Sequence, residues 1–219
     1  MKDIGKAKTY IGIYNKYEYG KDNILTLSQK SYIDYNEMHF KYALRVLKYV
    51  YLTRELKLKY CKSNILDCFV DADWARDIVD RKSTTGFFIR FFRNSISWKS
   101  KKQNSVTKSS TFAEYIALSE AVTEVNFLVC LINDVFVEVY RPVKIYEDSS
   151  GVVAISKYRN FTKNSNHIEV HYHFIHENVK QGNIEVVKIG SENNIADIFT
   201  KALGNVKFIK FREMLNLKV

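Results

Sequence analysis

The order of apolar patterns along the chain constrains its fold more than any other feature. Short segments typical of β-strands alternate with helical patterns from about residue 65 onward. Strands that alternate with helices after an initial meander predict an α/β fold, a mixed sheet covered by helices. The predicted elements are strands at 65–70, 86–92 and 95–98 with a turn at 93–94, a helix at 111–131, a strand at 143–146, helices at 151–157 and 172–181, a strand at 184–189, and a helix at 194–203.

Two further patterns precede this region. Residues 9–27 alternate apolar and polar side chains around a turn at 19–23, which predicts a strand–turn–strand unit. Residues 36–52 repeat apolar side chains at helical spacing, which predicts an amphipathic helix. The predicted organisation is an N-terminal segment at 1–35, a connecting helix at 36–62, a main domain at 63–205 and a helical tail at 206–219.

Composition narrows the class of protein. With 46% apolar residues and a single proline among 219 residues, the chain can bury a core and is not a disordered tail. The uninterrupted apolar runs are short and the first residues are polar, so we expect no membrane span and no signal peptide. Three widely spaced cysteines predict no disulfide or cysteine-based zinc framework and favour a reducing, intracellular compartment.

The charge balance favours a polyanionic partner. The chain has 34 Lys and Arg against 24 Asp and Glu, a formal net charge of +10. Nucleic acid is the leading candidate, and a merely basic soluble protein is the alternative. Around the first hairpin and the start of the 111–131 helix, a set of basic side chains is placed either to follow phosphates or to form a solvated surface: Arg81, Lys82, Lys99, Lys101, Lys102 and Lys108.

Four carboxylates stand where strands end or helices face the sheet. Asp71 ends the first strand of the main domain, Glu114 opens the long helix, Asp148 follows the fourth strand, and Asp197 lies early in the last helix. If the first and fourth strands are neighbours, these groups converge at one edge. Like charges at close range raise each other's pKa unless a cation neutralises them, and oxygen ligands favour Mg²⁺ or Mn²⁺. The pattern predicts two divalent ions, an arrangement that hydrolyses phosphodiesters.

Each acid also has a simpler interpretation when it is taken singly. Thr111 and Glu114 have the spacing of a capping box. The other three carboxylates fit strand-end turns or the first turn of a helix. A group of histidines offers zinc binding as a weaker alternative: His167, His171, His173 and His176.

Seven segments match one known family in residues and in order. They are DADWA at 71–75, DRKSTTG at 80–86, ISWKSKKQ at 96–103, AEYIAL at 113–118, YED at 146–148, HIEVHYHFI at 167–175 and ADIFTK at 196–201. Together they resemble the ribonuclease H domain of copia-type LTR-retrotransposon Pol polyproteins, over about residues 36–205. The resemblance implies a ribonuclease H-like mixed five-stranded sheet and a metal site at Asp71, Glu114, Asp148 and Asp197.

The resemblance also implies an activity, hydrolysis of the RNA strand of RNA/DNA hybrids with two Mg²⁺ ions or with Mn²⁺. RNA is distinguished from DNA by its 2′-hydroxyls, which short polar side chains beside the acids can contact. The expected hybrid contacts are Ser110, Thr111, Ser149, Ser150, Arg81, Lys82, Lys101 and Lys102.

The N-terminal segment resembles the later palm region of the copia-type reverse transcriptase, over residues 1–13 and 25–29. Residues 1–35 are therefore a predicted palm remnant, and because no Asp-Asp pair occurs in the chain we expect no polymerase activity. Other Pol-derived domains are expected partners, in the cytoplasm, a virus-like particle or the nucleus. Phe112 replaces an acid that is usual in the family, so a catalytically inactive nucleic-acid-binding fragment is the alternative function.

Overall fold

The computed structural model describes residues 9–10, 13–14, 37–58, 65–77, 79–135, 138–157 and 166–218. The chain forms two compact units, Met1–Leu56 and Lys57–Val219. In the first unit, β1 (Thr9–Tyr10) and β2 (Ile13–Tyr14) pair antiparallel, and α1 spans Glu37–Leu52 as the helical pattern predicts. The turn predicted at 19–23, and most of the predicted palm remnant, lie outside the described residues.

The second unit is built on a five-stranded sheet. After β3 (Lys57–Leu58), its strands are β4 (Leu66–Asp73), β5 (Thr84–Phe91), β6 (Asn94–Lys102), β7 (Val143–Glu147) and β8 (Ile184–Lys188). Their order in the sheet is β6-β5-β4-β7-β8. The first three strands along the chain are antiparallel, whereas β7 lies parallel to β4 and β8 parallel to β7. The predicted mixed sheet is confirmed.

The helices of this unit are α2 (Ser110–Val135), α3 (Ser150–Lys157), α4 (Asn166–Lys180), a 3₁₀ helix (Ile195–Phe199) and α5 (Asn205–Met214). A final strand, β9 (Leu217–Lys218), pairs with β3, so this compact unit begins at Lys57 and includes the predicted tail.

Several predicted boundaries were wrong. Helix α4 begins at Asn166 rather than at 172, and β6 continues to Lys102 rather than ending at 98. β4 continues to Asp73 because Asp71 pairs across the sheet with Gly86, so Asp71 lies inside the strand rather than at its end. The β5–β6 turn is at 92–93, where both residues have positive φ, as a two-residue hairpin turn requires. The helix expected at 194–203 is shorter, a 3₁₀ helix at Ile195–Phe199, and extended backbone at Gly204 separates it from α5, which lies in the predicted helical tail.

Each face of the sheet carries its own apolar core. On one face α2 packs on β4 and β5 and against α4, burying Leu118, Val122 and Val125 completely. On the other face the 3₁₀ helix and α5 cover Phe69 and Phe88. Helices on both faces protect a sheet whose central strand, β4, is buried along almost its whole length.

Helix α2 also has the length and apolar composition of a membrane-spanning helix, alone among the helices in the described part of the chain. The short apolar runs of the sequence do not predict this property. More than half of its apolar stretch is buried against the sheet and α4, which is the arrangement of a core helix.

Candidate metal centre

The structure brings the four predicted carboxylates together and adds a fifth. Asp71, Asp148 and Asp197 each offer a carboxylate oxygen within 4.8 Å of the others. Glu114, Glu147 and Asp148 do the same. Asp148 belongs to both groups, which we call the aspartate group and the glutamate group. Binding of metal by the four predicted residues stays a prediction, and their convergence is an observed property of the fold.

The strand arrangement explains the convergence. β4 and β7 are parallel neighbours in which Phe69 pairs with Tyr146, so the next residues of both strands, including Asp71 and Asp148, run to the same edge of the sheet. The 3₁₀ helix that carries Asp197 is held there by Asn194, whose side-chain amide donates a hydrogen bond to the Val70 carbonyl at 2.8 Å.

Glu114 faces the sheet from the first turns of α2. The backbone amide of Ala72 donates a hydrogen bond to this carboxylate. The helix is capped instead by Ser109, whose hydroxyl accepts a hydrogen bond from the amide of Phe112 at 3.3 Å. The capping-box interpretation of Thr111 and Glu114 is therefore wrong.

Basic and hydroxyl side chains contact two members of the aspartate group, Asp71 and Asp197. Lys201 Nζ lies 2.7 Å from Asp197 Oδ1 and 3.5 Å from Asp71 Oδ2. Lys207 forms an ion pair with Asp197, and the Thr200 hydroxyl donates a hydrogen bond to Asp71. Sequence reasoning missed all three residues. Thr200 and Lys201 lie in the quoted ADIFTK segment, but Lys207 comes from α5 and left no local signal.

Burial is the main cause of the raised pKa values in the carboxylate cluster. It raises the pKa of Asp71 to about 6, although Lys201 and Thr200 act in the opposite direction. Burial, followed by the charge of Glu147, raises the pKa of Glu114 to about 11. Burial also raises the pKa of Glu147 well above its usual range. Buried carboxylates with raised pKa values hold protons unless a cation replaces them.

The donor set fits a hard divalent cation. Every ligand-bearing group in the cluster is a carboxylate, and oxygen ligands suit Mg²⁺ and Mn²⁺. One oxygen of Glu114 and one oxygen of Glu147 are buried without a hydrogen-bond partner. Such orphaned acceptors are costly in a folded protein, and a bound cation would satisfy them.

The predicted hydroxyl contacts lie at two helix starts beside the acids. Ser110 and Ser150 are the first residues of α2 and α3. A Cβ added to Gly151 would lie 3.4 Å from Thr111 Cγ2 and 3.8 Å from Ser149 Oγ, so Thr111 and Ser149 flank the same glycine. The two helix starts are therefore neighbours, and amides at helix N-termini favour anionic ligands.

Three of the six predicted basic side chains form ion pairs, and one of these three, Lys102, is also exposed. Lys102 forms ion pairs with Asp77 at 2.5 Å and with Asp80 at 3.0 Å. Lys82 lies 3.8 Å from Asp80, and Lys99 lies 2.7 Å from Glu120. The exposed members of the set are Arg81, Lys101, Lys102 and Lys108.

The described histidine side chains do not form a metal site. His171 Nδ1 lies 2.9 Å from Ser119 Oγ, and the ring of His176 stacks on Tyr172. His173 lies 3.7 Å from Glu169. The side chain of His167 lies outside the described residues. Among the described residues, no group of ligands close enough to share an ion contains a histidine, so the zinc interpretation gains no support.

The mixed sheet has helices on both faces, and the carboxylates are gathered at the edge where β4 and β7 end. This strand order and this arrangement define a ribonuclease H-like α/β domain. No family model matches the chain. The retrovirus-related Pol polyprotein from transposon RE2 of Arabidopsis thaliana is 33% identical over 181 residues, which cover 82% of this chain and 12% of that protein. The corresponding protein from transposon TNT 1-94 of Nicotiana tabacum is 36% identical over 153 residues, 70% of this chain and 11% of that protein.

The chain is a homologue of copia-type retrotransposon Pol polyproteins, and it spans about an eighth of the length of these two relatives. Among solved structures, LC11-RNase H1, isolated from compost, is similar with a TM-score of 0.47 and 21% identity. That similarity covers 63% of this chain and 94% of the solved one.

Proposed function

We propose that the chain is a metal-dependent endonuclease that hydrolyses the RNA strand of RNA/DNA hybrids as part of a retrotransposon Pol. The observation that carries the proposal is the pair of carboxylate groups joined through Asp148. Two divalent ions bound by such groups would activate a water molecule and stabilise the leaving oxygen of a phosphodiester. The domains of the longer Pol relatives are the proposed partners.

Different residues of the chain have different proposed roles in this function. Asp148 and Asp71 hold the two halves of the centre at one sheet edge, and Glu114 reaches it from α2. Thr111 and Ser149, at the neighbouring helix starts, are the proposed contacts to the RNA strand, because hydroxyls can bond both phosphate oxygens and 2′-hydroxyls.

An end-label experiment tests this function. The full chain is incubated with Mg²⁺ or Mn²⁺ and one of three duplexes, an RNA/DNA hybrid labelled on the RNA strand, the same hybrid labelled on the DNA strand, or the matching DNA duplex. We expect cleavage of the RNA strand alone. Equal cleavage of the DNA duplex would contradict the assigned substrate.

A second candidate function is nucleic-acid binding without catalysis. The observation in its favour is that Lys201 and Lys207 already neutralise Asp197 without a metal ion. The two candidates differ in metal-dependent turnover. Binding of the hybrid without cleavage, by a chain with a cooperative thermal transition, would favour the second.

Two neighbouring lysines provide a matched test of the binding surface. We expect Lys101→Ala to weaken hybrid binding and to reduce the slope of log affinity against log salt by ~0.7–0.9, the loss of one phosphate contact. Lys102→Ala is expected to change the slope less, because Lys102 is already paired with Asp77 and Asp80. Fluorescence anisotropy over a salt series measures both. Equal slopes for the two variants would contradict this assignment.

A further inference from the structure

Glu147 is a buried carboxylate with no role in the predicted four-acid site. It is the last residue of β7, where it alternates with Val143 and Ile145, and all three side chains are buried. Glu147 is 0% exposed. An ionised carboxylate in such surroundings is strongly unfavourable unless something compensates it.

The protein supplies only part of that compensation. One carboxylate oxygen of Glu147 accepts a hydrogen bond from the Ser149 amide at 2.8 Å. The other oxygen is buried and has no hydrogen-bond partner, and one oxygen of Glu114 is in the same condition. The glutamate group therefore has two unsatisfied acceptors in its interior.

The two halves of the cluster differ in their basic partners. In the aspartate group, Lys201 and Lys207 are ion-paired with the carboxylates. Among the described residues, no basic side chain forms an ion pair with Glu114 or Glu147. Asp197 Oδ1 is also buried without a hydrogen-bond partner, but it lies 2.7 Å from Lys201 Nζ. The orphaned oxygens of Glu114 and Glu147 have no such basic neighbour among the described residues.

The spacing of the glutamate group suits a shared ion. Oxygens that bind one cation at ~2.0–2.6 Å are at most ~4–5 Å apart. Glu114, Glu147 and Asp148 each offer an oxygen within 4.8 Å of the others. We propose that Glu147 is a fifth cation ligand, and that it holds a divalent ion of the Mg²⁺ or Mn²⁺ type together with Glu114 and Asp148. This inference deepens the proposed nuclease function and rests on it through the shared Asp148.

Manganese binding by the full chain, without nucleic acid, tests the assignment. Bound Mn²⁺ is counted by electron paramagnetic resonance for the parent chain and for Glu147→Gln, which keeps the size and hydrogen-bonding capacity of a neutral acid but cannot carry the charge. We expect the variant to bind at least one ion ~10-fold more weakly. We also expect it to lose part of the rise in melting temperature that Mn²⁺ produces in the parent chain.

Two further variants provide a control for the Mn²⁺ test and an alternative to Glu147→Gln. Asp73→Asn removes a carboxylate of β4 that lies outside both groups and pairs with Arg76, and it should bind Mn²⁺ as the parent does. Glu147→Asp retains the charge but withdraws the oxygens by one methylene, and it should also weaken binding. It replaces Glu147→Gln if that variant does not fold.

If the folded Glu147 variants bind Mn²⁺ as tightly as the parent chain does, Glu147 is not a cation ligand. That result would leave the nuclease proposal intact. A parent chain that binds no Mn²⁺ and cleaves no hybrid would remove both proposals. A parent that binds Mn²⁺ through Glu147 but cleaves nothing would remove the nuclease function alone.

Discussion

Replacing Asp148 with asparagine is expected to reduce hydrolysis of the RNA/DNA hybrid by ~1,000-fold or more, which corresponds to ~4 kcal/mol of lost transition-state stabilisation. The reason is its position, because Asp148 is the one carboxylate common to the aspartate and glutamate groups. Removing its charge weakens both proposed cation sites at once. Single-turnover cleavage of a labelled hybrid, with saturating protein, measures the effect.

Asp73→Asn is the matched control for this substitution. Asp73 lies two positions after Asp71 on β4, but its carboxylate pairs with Arg76 at 3.0 Å and belongs to neither group. A partly exposed pair of this kind contributes little, so the cleavage rate should stay within about threefold of the parent chain. If both variants lost activity equally, the cluster would not be the origin of catalysis.

Replacing Gly86 with alanine should destabilise the fold by about 1–3 kcal/mol. A Cβ at this position would lie 2.5 Å from Thr200 Cγ2 and 3.1 Å from the Ala196 carbonyl oxygen, so the 3₁₀ helix would have to move away from β5. That movement would displace Thr200 from Asp71 and shift Asp197 as well. Urea unfolding measures the stability loss, and Mn²⁺ binding by the folded variant should weaken in parallel.

Gly204→Ala provides the comparison for Gly86→Ala. Gly204 precedes α5 with ordinary extended backbone, and in the described part of the chain no atom beyond its two chain neighbours lies within 4 Å of an added Cβ. We expect a loss below about 1 kcal/mol, mainly from a poorer helix start. A Gly86 variant as stable as the Gly204 variant would contradict the close approach of the 3₁₀ helix to β5.

The fold was largely predictable because its patterns are local. Period-two alternation and helical periodicity depend on neighbouring residues, and they identified every strand of the sheet as well as α2. The extension of β4 to Asp73 was not predictable in this way, since it depends on pairing with β5. The position of the 3₁₀ helix also has a non-local cause, because Asn194 at its N-terminus donates a hydrogen bond to the Val70 carbonyl of β4.

The site was predictable in part for the same reason. The four expected acids stood at recognisable strand and helix positions, and the family resemblance pointed to the same residues. The burial of Glu147 could have been predicted, since it continues the alternation of Val143 and Ile145 toward the α2 face. Sequence reasoning missed it because the neighbouring Asp148 already supplies an acid at this strand end. Lys207 had no signal, because only the packing of α5 against the 3₁₀ helix brings it to Asp197.

The proposed metal centre has two halves that differ in their basic partners. In the aspartate group, Asp71 and Asp197 form ion pairs with Lys201 and Lys207. The buried oxygens of Glu114 and Glu147 that have no hydrogen-bond partner also have no basic partner among the described residues. A cation entering the first half would have to compete with a lysine, and a cation entering the second half would satisfy orphaned acceptors. We therefore expect the glutamate group to bind its ion first.

Metal-dependent cleavage of the hybrid by the purified full chain tests the central claim most directly. The RNA strand is end-labelled, and the reaction is followed in EDTA, then with Mg²⁺ or Mn²⁺ in excess of the chelator. The account predicts no cleavage in EDTA and RNA-strand cleavage once either ion is added. A chain that unfolds cooperatively, binds the hybrid and leaves the RNA intact with both ions would contradict it.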